Sequence, residues 1–207
     1  MTSPRLVLAT HNEHKVGELR AILLAAGTIP GLTGDDVVGA AAFTDVEPVE
    51  DGVTFEANAL IKARAAHAAT GEVTIADDSG IEAADLGGAP GIFSARWAGR
   101  HGDDAANLAL LLAQLSDIAA PHRGARFVCA AALVTPDGFE HVETGTLEGT
   151  LATEPRGTGG FGYDPILVPA GESRTCAELT PEEKNAISHR GTAFRALVPT
   201  LARVLGA

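Results

Sequence analysis

The stretch Val73-Thr-Ile-Ala-Asp-Asp-Ser-Gly-Ile-Glu-Ala-Ala84 sets a polar tetrapeptide between two apolar runs. Such runs predict one short strand over Val73 to Ala76 and another over Ile81 to Ala84. Asp77 and Asp78 would then lie at a strand end, where two neighbouring carboxylates cost free energy unless a cation or a shared proton compensates. A hard divalent ion such as Mg²⁺ is the simplest compensation, because it prefers carboxylate and phosphate oxygens. A solvated turn is the alternative interpretation, but the apolar run before this pair favours the edge of a cleft.

The segment before this stretch predicts a strand, a polar loop and a helix. Arg5 to Ala9 is apolar enough for a buried strand, and Glu13 to Ala26 carries apolar residues at helical spacing before Gly27 ends it. The loop from Thr10 to Lys15 then lies where unbonded backbone N–H groups and the helix dipole favour an anion. It lacks the glycine spacing of a Walker A loop, and an ordinary polar turn with Asn12 as helix cap explains it equally well.

Other patterns outline the rest of an α/β domain. Residues 27 to 53 predict mostly connection with one strand, and a hairpin is predicted from Arg126 to Leu147 around the turn Pro136-Asp-Gly138. Helices are predicted after caps at Thr54 and Asp103, at Thr180-Pro-Glu-Glu183, and from Thr192 to Leu205. The sheet is therefore expected to be mixed. No repeat or clear linker divides the chain, which predicts a single domain over residues 1–207.

The overall composition excludes several functional classes. The 207 residues carry fifteen basic and twenty-seven acidic side chains, a net charge of -12. That charge repels a nucleic-acid backbone, so no nucleic-acid polymer is expected as a partner, although a few lysines in a cleft can still bind a small anion. Two distant cysteines outside any metal-binding spacing indicate a reducing compartment. Because no apolar run suits a signal peptide or a membrane span, we expect a cytoplasmic protein with no membrane partner.

The chain has twelve arginines but only three lysines, at Lys15, Lys62 and Lys184. Each lies among polar residues of catalytic type. A compact ammonium can bind a phosphate where a planar guanidinium does not fit, so these lysines are candidate phosphate ligands. A single lysine of this kind is more often a solvated surface residue, and the prediction depends on their combination. Glu50, which precedes the second helix, could add a metal ligand or simply belong to a charged loop.

Two further segments combine residue types that could bind a flat ligand. Gly159-Gly-Phe-Gly-Tyr-Asp-Pro165 holds the only tyrosine, and glycines around two aromatic residues let a backbone approach a ligand while a ring stacks on it. In Ser188-His-Arg-Gly191, the titratable imidazole of His189 is followed by the guanidinium of Arg190, whose N–H donors have a fixed geometry. The corresponding structural interpretations are a tight turn with its aromatic side chains in the core, and a helix C-terminus that favours cations.

Taken in chain order, these motifs resemble those of one enzyme family. They are Thr10-x-Asn-x-x-Lys15, Glu50-x-Gly-x-Thr-Phe-x-x-Asn-Ala-x-x-Lys62, Asp77-Asp-Ser-Gly80, Leu86-Gly-Gly-Ala-Pro-Gly-x-x-Ser-Ala-Arg96, Gly159-Gly-Phe-Gly-Tyr-Asp-Pro165, Glu182-Glu-Lys184 and Ser188-His-Arg-Gly191. The set spans about residues 5 to 200 and closely resembles the inosine triphosphate pyrophosphatase family. One such motif is weak on its own, but seven in the family's order rarely arise by chance.

The resemblance implies hydrolysis of ITP, dITP and XTP to the monophosphate and pyrophosphate, which removes deaminated purines from the nucleotide pool. It also implies a Mg²⁺ cofactor, a homodimer, and an α/β fold in which a mixed, elongated central sheet with flanking helices forms two lobes around an active-site cleft. A related-fold pyrophosphatase for other modified nucleotides and a catalytically inactive nucleotide-binding module are the alternatives. The His-Arg and Phe-Gly-Tyr-Asp motifs argue against the first, and the retained carboxylates and lysines argue against the second.

The resemblance further implies roles for individual residues. Asp78 matches the catalytic base and a metal ligand, Glu50 matches a second metal ligand, and Asp77 supports both functions. His189 and Arg190 match the base-reading residues, because an arginine donor favours the six-position oxygen of hypoxanthine over the amino group of adenine. The other residues implied to bind substrate are Thr10, His11, Asn12, Glu13, His14, Lys15, Lys62, Ser79 and Lys184 around the triphosphate, and Phe161, Gly162, Tyr163 and Asp164 around the nucleoside.

Overall fold

The fold is that of a computed structural model, which describes residues 6–10, 13–27, 29, 31–44 and 48–206. The strands in these residues are β1 (Leu6–Leu8), β2 (Val37–Gly39), β3 (Thr74–Ala83), β4 (Gly124–Val134), β5 (Glu140–Leu151) and β6 (Leu167–Pro169). The α-helices are α1 (Glu13–Ala26), α2 (Phe55–Thr70), α3 (Asp104–Gln114), α4 (Pro181–Ile187) and α5 (His189–Gly206). Several short 3₁₀ turns connect them. None of the described helices is long and apolar enough to cross a membrane.

The strands form one sheet in the order β2-β1-β3-β4-β5-β6. β1 pairs in parallel with both β2 and β3, so that Leu8 lies between Gly39 and Ile75. At the other edge β5 and β6 are antiparallel, with Leu151 opposite Leu167. A mixed sheet with flanking helices confirms the fold class expected from the sequence.

The chain divides into two compact units. The first contains Met1–Asp78, Cys129–Gly145 and Arg190–Ala207, and the second contains Ser79–Val128 and Thr146–His189. β3 passes from the first unit to the second directly after Asp78. The acidic pair therefore belongs to the first unit.

The first unit buries apolar residues on both faces of β1. Leu6 and Leu8 belong to a cluster that includes Leu19 of α1 and Phe194 of α5. Val7 packs instead in a cluster with Ala66 of α2. Because alternate residues of a strand point to opposite faces of the sheet, α1 and α5 cover one face and α2 covers the other.

The second unit has its own apolar cluster around α3. Leu111 of this helix and Leu115, which follows its last residue, are buried with Ile81 of β3 and Phe127 of β4. α3 begins after Asp103, whose carboxylate accepts a hydrogen bond from the Ala106 N–H at 3.2 Å. The cap predicted from the sequence is therefore confirmed, and it orients the helix that carries this cluster.

Two sequence-based boundaries were wrong. The strands expected over residues 73–76 and 81–84 are one strand, β3, and the polar tetrapeptide that was expected to separate them lies inside it. The final helix was expected to begin at Thr192, but α5 begins at His189. In addition, β6 was not predicted, because three residues are too few to display a period-two pattern.

Candidate active site

Parallel strand pairing explains how Lys15 reaches the acidic pair. Leu8 of β1 pairs with Ile75 of β3, so the loop after β1 emerges beside the residues of β3 that follow Ile75. Lys15 in the first turn of α1 lies with its Nζ 3.2 Å from both carboxylate oxygens of Asp77. The sheet register thus joins two residues that are 62 positions apart in the chain.

Asp77 is a buried carboxylate held by two cations. Besides the contact with Lys15, its Oδ2 accepts a hydrogen bond from Arg190 Nε at 3.1 Å. Burial alone would raise the pKa of Asp77, but the positive charges of Lys15 and Arg190 more than offset it and hold that pKa well below its usual range. Asp77 is therefore an ionised side chain fixed in the interior of the first unit.

Asp78 is held by one face of α2. Lys62 Nζ donates to its Oδ1 at 2.9 Å, and Asn58 Nδ2 donates to its Oδ2 at 3.3 Å. Asn58 and Lys62 are four residues apart, which places them on the same side of the helix. Asn58 is completely buried. Sequence reasoning assigned Asn58 no role, although its four-residue spacing from Lys62 could have indicated one.

Glu50 joins the same cluster through Lys62. Lys62 Nζ lies 3.2 Å from Glu50 Oε1 and 2.9 Å from Asp78 Oδ1, so two carboxylates converge on one cation. Burial lowers the pKa of Lys62, but the charge of Asp78 and then that of Asp77 outweigh it, and the pKa is raised. Two convergent carboxylates fit Mg²⁺, which completes its shell with water and phosphate oxygens. Among the described residues, no group of three or more His, Cys, Asp or Glu side chains could hold a metal.

The second unit presents one of the two aromatic rings of the glycine-rich loop. Phe161 is 62% exposed. Tyr163 is buried, and its hydroxyl donates to the Ser94 carbonyl oxygen at 2.8 Å. This burial raises the pKa of Tyr163. Tyr163 is therefore a core residue, whereas the Phe161 ring is mostly exposed, and its stacking on a ligand stays a prediction.

Lys184 lies in this second unit against the glycine-rich loop. Its Nζ is 2.5 Å from Asp164 Oδ2 and 5.3 Å from the centre of the Phe161 ring. The same Asp164 oxygen accepts a hydrogen bond from the Phe161 N–H at 2.8 Å. Sequence reasoning grouped Lys184 with Lys15 and Lys62 around the triphosphate. Its observed partners are instead the residues expected to bind the nucleoside.

His189 and Arg190 are adjacent but have different partners. The His189 ring stacks on Phe127 in the second unit, with 4.9 Å between ring centres and 23° between planes. Arg190 is bonded to Asp77 in the first unit. Ser188 follows the last residue of α4 as its C-cap, and His189 begins α5, so this motif lies at the junction of two helices.

The remaining predicted residues belong to β3 and to the segment that follows β1. Ser79 follows Asp78 within β3, and the Thr10 N–H donates to the Leu8 carbonyl oxygen at 2.8 Å. Four further predicted residues remain: His11 and Asn12 lie outside the residues that the structure describes, and so do the side chains of Glu13 and His14.

Comparison with known proteins gives a consistent result along the chain. The Ham1 family model matches residues 6–200. A Streptomyces coelicolor protein named dITP/XTP pyrophosphatase is 64% identical over 203 residues, which cover 98% of this chain and 99% of that protein. A Mycobacterium tuberculosis protein of the same name is 55% identical over 201 residues, 95% of each chain. The similarity therefore extends through both units.

Two solved structures have the same fold. A Mycobacterium abscessus protein described as a nucleoside-triphosphatase and dITP/XTP pyrophosphatase is 53% identical with a TM-score of 0.78, and the match covers 95% of this chain and 98% of that one. The Staphylococcus aureus Ham1 protein is 38% identical with a TM-score of 0.85, covering 96% and 98%.

Proposed function

Since this chain belongs to the Ham1 family, we propose that it hydrolyses ITP, dITP and XTP to the corresponding monophosphate and pyrophosphate. The observation that carries this proposal is the convergence of Glu50 and Asp78 on Lys62. Two carboxylates and an ammonium in one cluster suit a metal-bound phosphate chain better than a neutral ligand. The names of the close relatives supply the substrate class.

Glu50 and Asp78 would hold a Mg²⁺ ion in this proposal. When bound, the ion neutralises charge on the phosphate oxygens and lowers the pKa of a coordinated water. Asp78 accepts a proton from the attacking water, and its bonds to Asn58 and Lys62 keep its carboxylate in one orientation. Lys15 and Lys62 bind phosphate oxygens, where a compact ammonium acts as a point charge.

Residues of the second unit would bind the nucleoside. Phe161 stacks on the purine, because its ring is largely exposed. We assign Lys184 to the six-position oxygen of the base, since it lies beside Phe161 and Asp164. Adenine has an amino donor at that position and would present it to the ammonium in place of an acceptor oxygen, which disfavours ATP.

Because Arg190 is bonded to Asp77, we assign it the role of positioning Asp77 in preference to the role of contacting the base. His189 remains a nucleoside-side candidate, with its ring oriented by Phe127. The proposal also includes a homodimer, as the family resemblance implies, and action in the cytoplasm, as the two free cysteines indicate. Light scattering of the purified chain tests the dimer directly.

The test is to incubate the protein with Mg²⁺ and ITP, XTP, dITP, GTP, ATP or dTTP and to identify the products. We expect monophosphate and pyrophosphate from the first three, and loss of turnover when the metal is chelated. Asp78→Asn should lower kcat by about 10²- to 10⁴-fold, the usual contribution of a general base, without unfolding the chain. Release of orthophosphate, or equal turnover of ATP, would contradict the proposal. Preferred turnover of dTTP would favour the modified-nucleotide alternative.

A further inference from the structure

Two consecutive backbone amides of the glycine-rich loop are bound by carboxylates. The Phe161 N–H donates to Asp164 Oδ2 at 2.8 Å, and the Gly162 N–H donates to Asp104 Oδ2 at 2.9 Å. Asp164 belongs to the loop itself. Asp104 lies on α3, 58 residues earlier in the chain. The second bond therefore anchors the loop to a separate helix of the same unit.

The conformation of this loop makes such an anchor important. Gly160 and Gly162 flank Phe161 and have φ angles of 72° and 60°. Glycines in this left-handed region lose more conformational freedom on folding than other residues do. The Phe161 ring is also 62% exposed, so packing against the core does little to fix it. Its position depends on the Lys184 ammonium, 5.3 Å from the ring centre, and on the hydrogen bonds of the backbone on either side.

Asp104 is distinct from its neighbour in what it binds. Asp103 caps α3 by accepting from the Ala106 N–H, whereas Asp104 in the first turn directs an oxygen to the Gly162 N–H. A carboxylate oxygen is a stronger acceptor for a backbone N–H than a neutral oxygen is, which suits Asp104 to this contact. Of these two adjacent aspartates, Asp103 therefore caps the helix and Asp104 anchors the loop.

We propose that Asp104 is a positioning residue for the nucleoside, because its bond to the Gly162 N–H holds the Phe161 ring in the orientation that stacks on the base. This inference rests on the proposed function, in which the Phe161 loop binds the purine. Asp104 would contribute to substrate binding and not to the chemical step, since it touches only the loop backbone in the contact described. No sequence motif marks it, and from the chain alone it is one more acidic residue in a first helical turn.

Three variants test the proposal. Asp104→Ala removes the acceptor, Asp104→Asn keeps an acceptor oxygen without the charge, and Asp103→Ala removes the cap of the same helix but leaves the loop contact. For Asp104→Ala we expect the KM for ITP to rise about three- to tenfold, the range for losing one partly exposed hydrogen bond, with kcat within about twofold of the parent value. Asp104→Asn should restore most of the KM. Asp103→Ala should lower Tm without changing KM.

A second measurement does not require activity. Hydrogen–deuterium exchange of peptides covering residues 159–164 should accelerate in Asp104→Ala, and remain at the parent rate in Asp103→Ala. If the parent protein hydrolysed no nucleotide, the proposed function would fail while exchange still reported on the anchor. Unchanged exchange in Asp104→Ala would overturn the inference. So would equal effects of Asp103→Ala and Asp104→Ala, or a fall in kcat at constant KM.

Discussion

Arg190 Nε donates a 3.1 Å hydrogen bond to Asp77 Oδ2, and both side chains are buried in the first unit. The bond joins the first turn of α5 to β3 across 113 residues of chain. With Lys15 on its other side, Asp77 is held ionised directly before the proposed base, Asp78. Removing one partner of a buried ion pair costs more free energy than the pair contributes, because the remaining charge loses its counter-ion.

Asp77→Asn should therefore lower the free energy of unfolding by about 3–5 kcal/mol, since it removes the buried charge that pairs with both Arg190 and Lys15. Arg190→Met should cost less, because Lys15 still faces Asp77. The double variant should lose less than the sum of the two single variants, as measured by urea unfolding. Arg64→Met is the matched control: Arg64 pairs with Glu140 at 2.6 Å on the surface, and its loss should cost under about 1 kcal/mol. Strictly additive losses at positions 77 and 190 would refute the coupling.

Lys184→Met and Lys15→Met should have different effects on substrate selectivity. Lys15 is assigned to phosphate, which all nucleoside triphosphates share, so its loss should lower kcat/KM for ITP and ATP by similar factors. Lys184 is assigned to the base, so its loss should reduce the ITP-to-ATP ratio of kcat/KM by about tenfold or more. Steady-state kinetics on both substrates measure the ratio. If Lys184→Met lowered kcat/KM for ITP and ATP by the same factor, Lys184 would bind the triphosphate and not the base.

Gly160→Ala should damage the nucleoside loop more than Gly162→Ala. Both glycines have left-handed φ angles, so either substitution costs roughly 1–2 kcal/mol of backbone strain. A Cβ at Gly160 would in addition collide with the Asp164 carboxylate and lie 3.0 Å from Lys184 Nζ, whereas a Cβ at Gly162 meets nothing within 4 Å. We expect a clearly larger rise in KM for ITP in Gly160→Ala. Equal values of KM in the two variants would show that steric fit at position 160 is unimportant.

Both cysteine thiols should be unreactive in the folded chain. Cys129 and Cys176 are buried, and burial raises the pKa of each, that of Cys176 to about 12. Because the pKa is raised, a lower fraction is thiolate at any given pH; at pH 8 the fraction for Cys176 is roughly a thousandfold below that of an ordinary thiol. Ellman's reagent at pH 8 should therefore show no fast phase until guanidinium is added, and then two equivalents. One equivalent that reacts rapidly under native conditions would contradict this burial.

Local sequence patterns account for the helices and for the turn between β4 and β5. α2 begins after the predicted Thr54 cap, where the Ala57 N–H donates to Thr54 Oγ1 at 3.1 Å, and ends before Gly71, whose φ is 72°. These signals act within a few residues of the boundary that they set. The break predicted within β3 failed because a strand obtains its hydrogen bonds from neighbouring strands. The polarity of Asp77-Asp-Ser-Gly80 carries no information about those neighbours.

The chain alone predicts which carboxylates and lysines form the site, because motif spacing retains them in a recognisable order. Their partners do not. Lys184 lies against Asp164, Arg190 against Asp77, and the Gly162 N–H against Asp104. Each contact joins residues between 20 and 113 positions apart. Such contacts depend on how strands pair and helices pack, and the free energy of that packing is shared by the whole core instead of being encoded in any one segment.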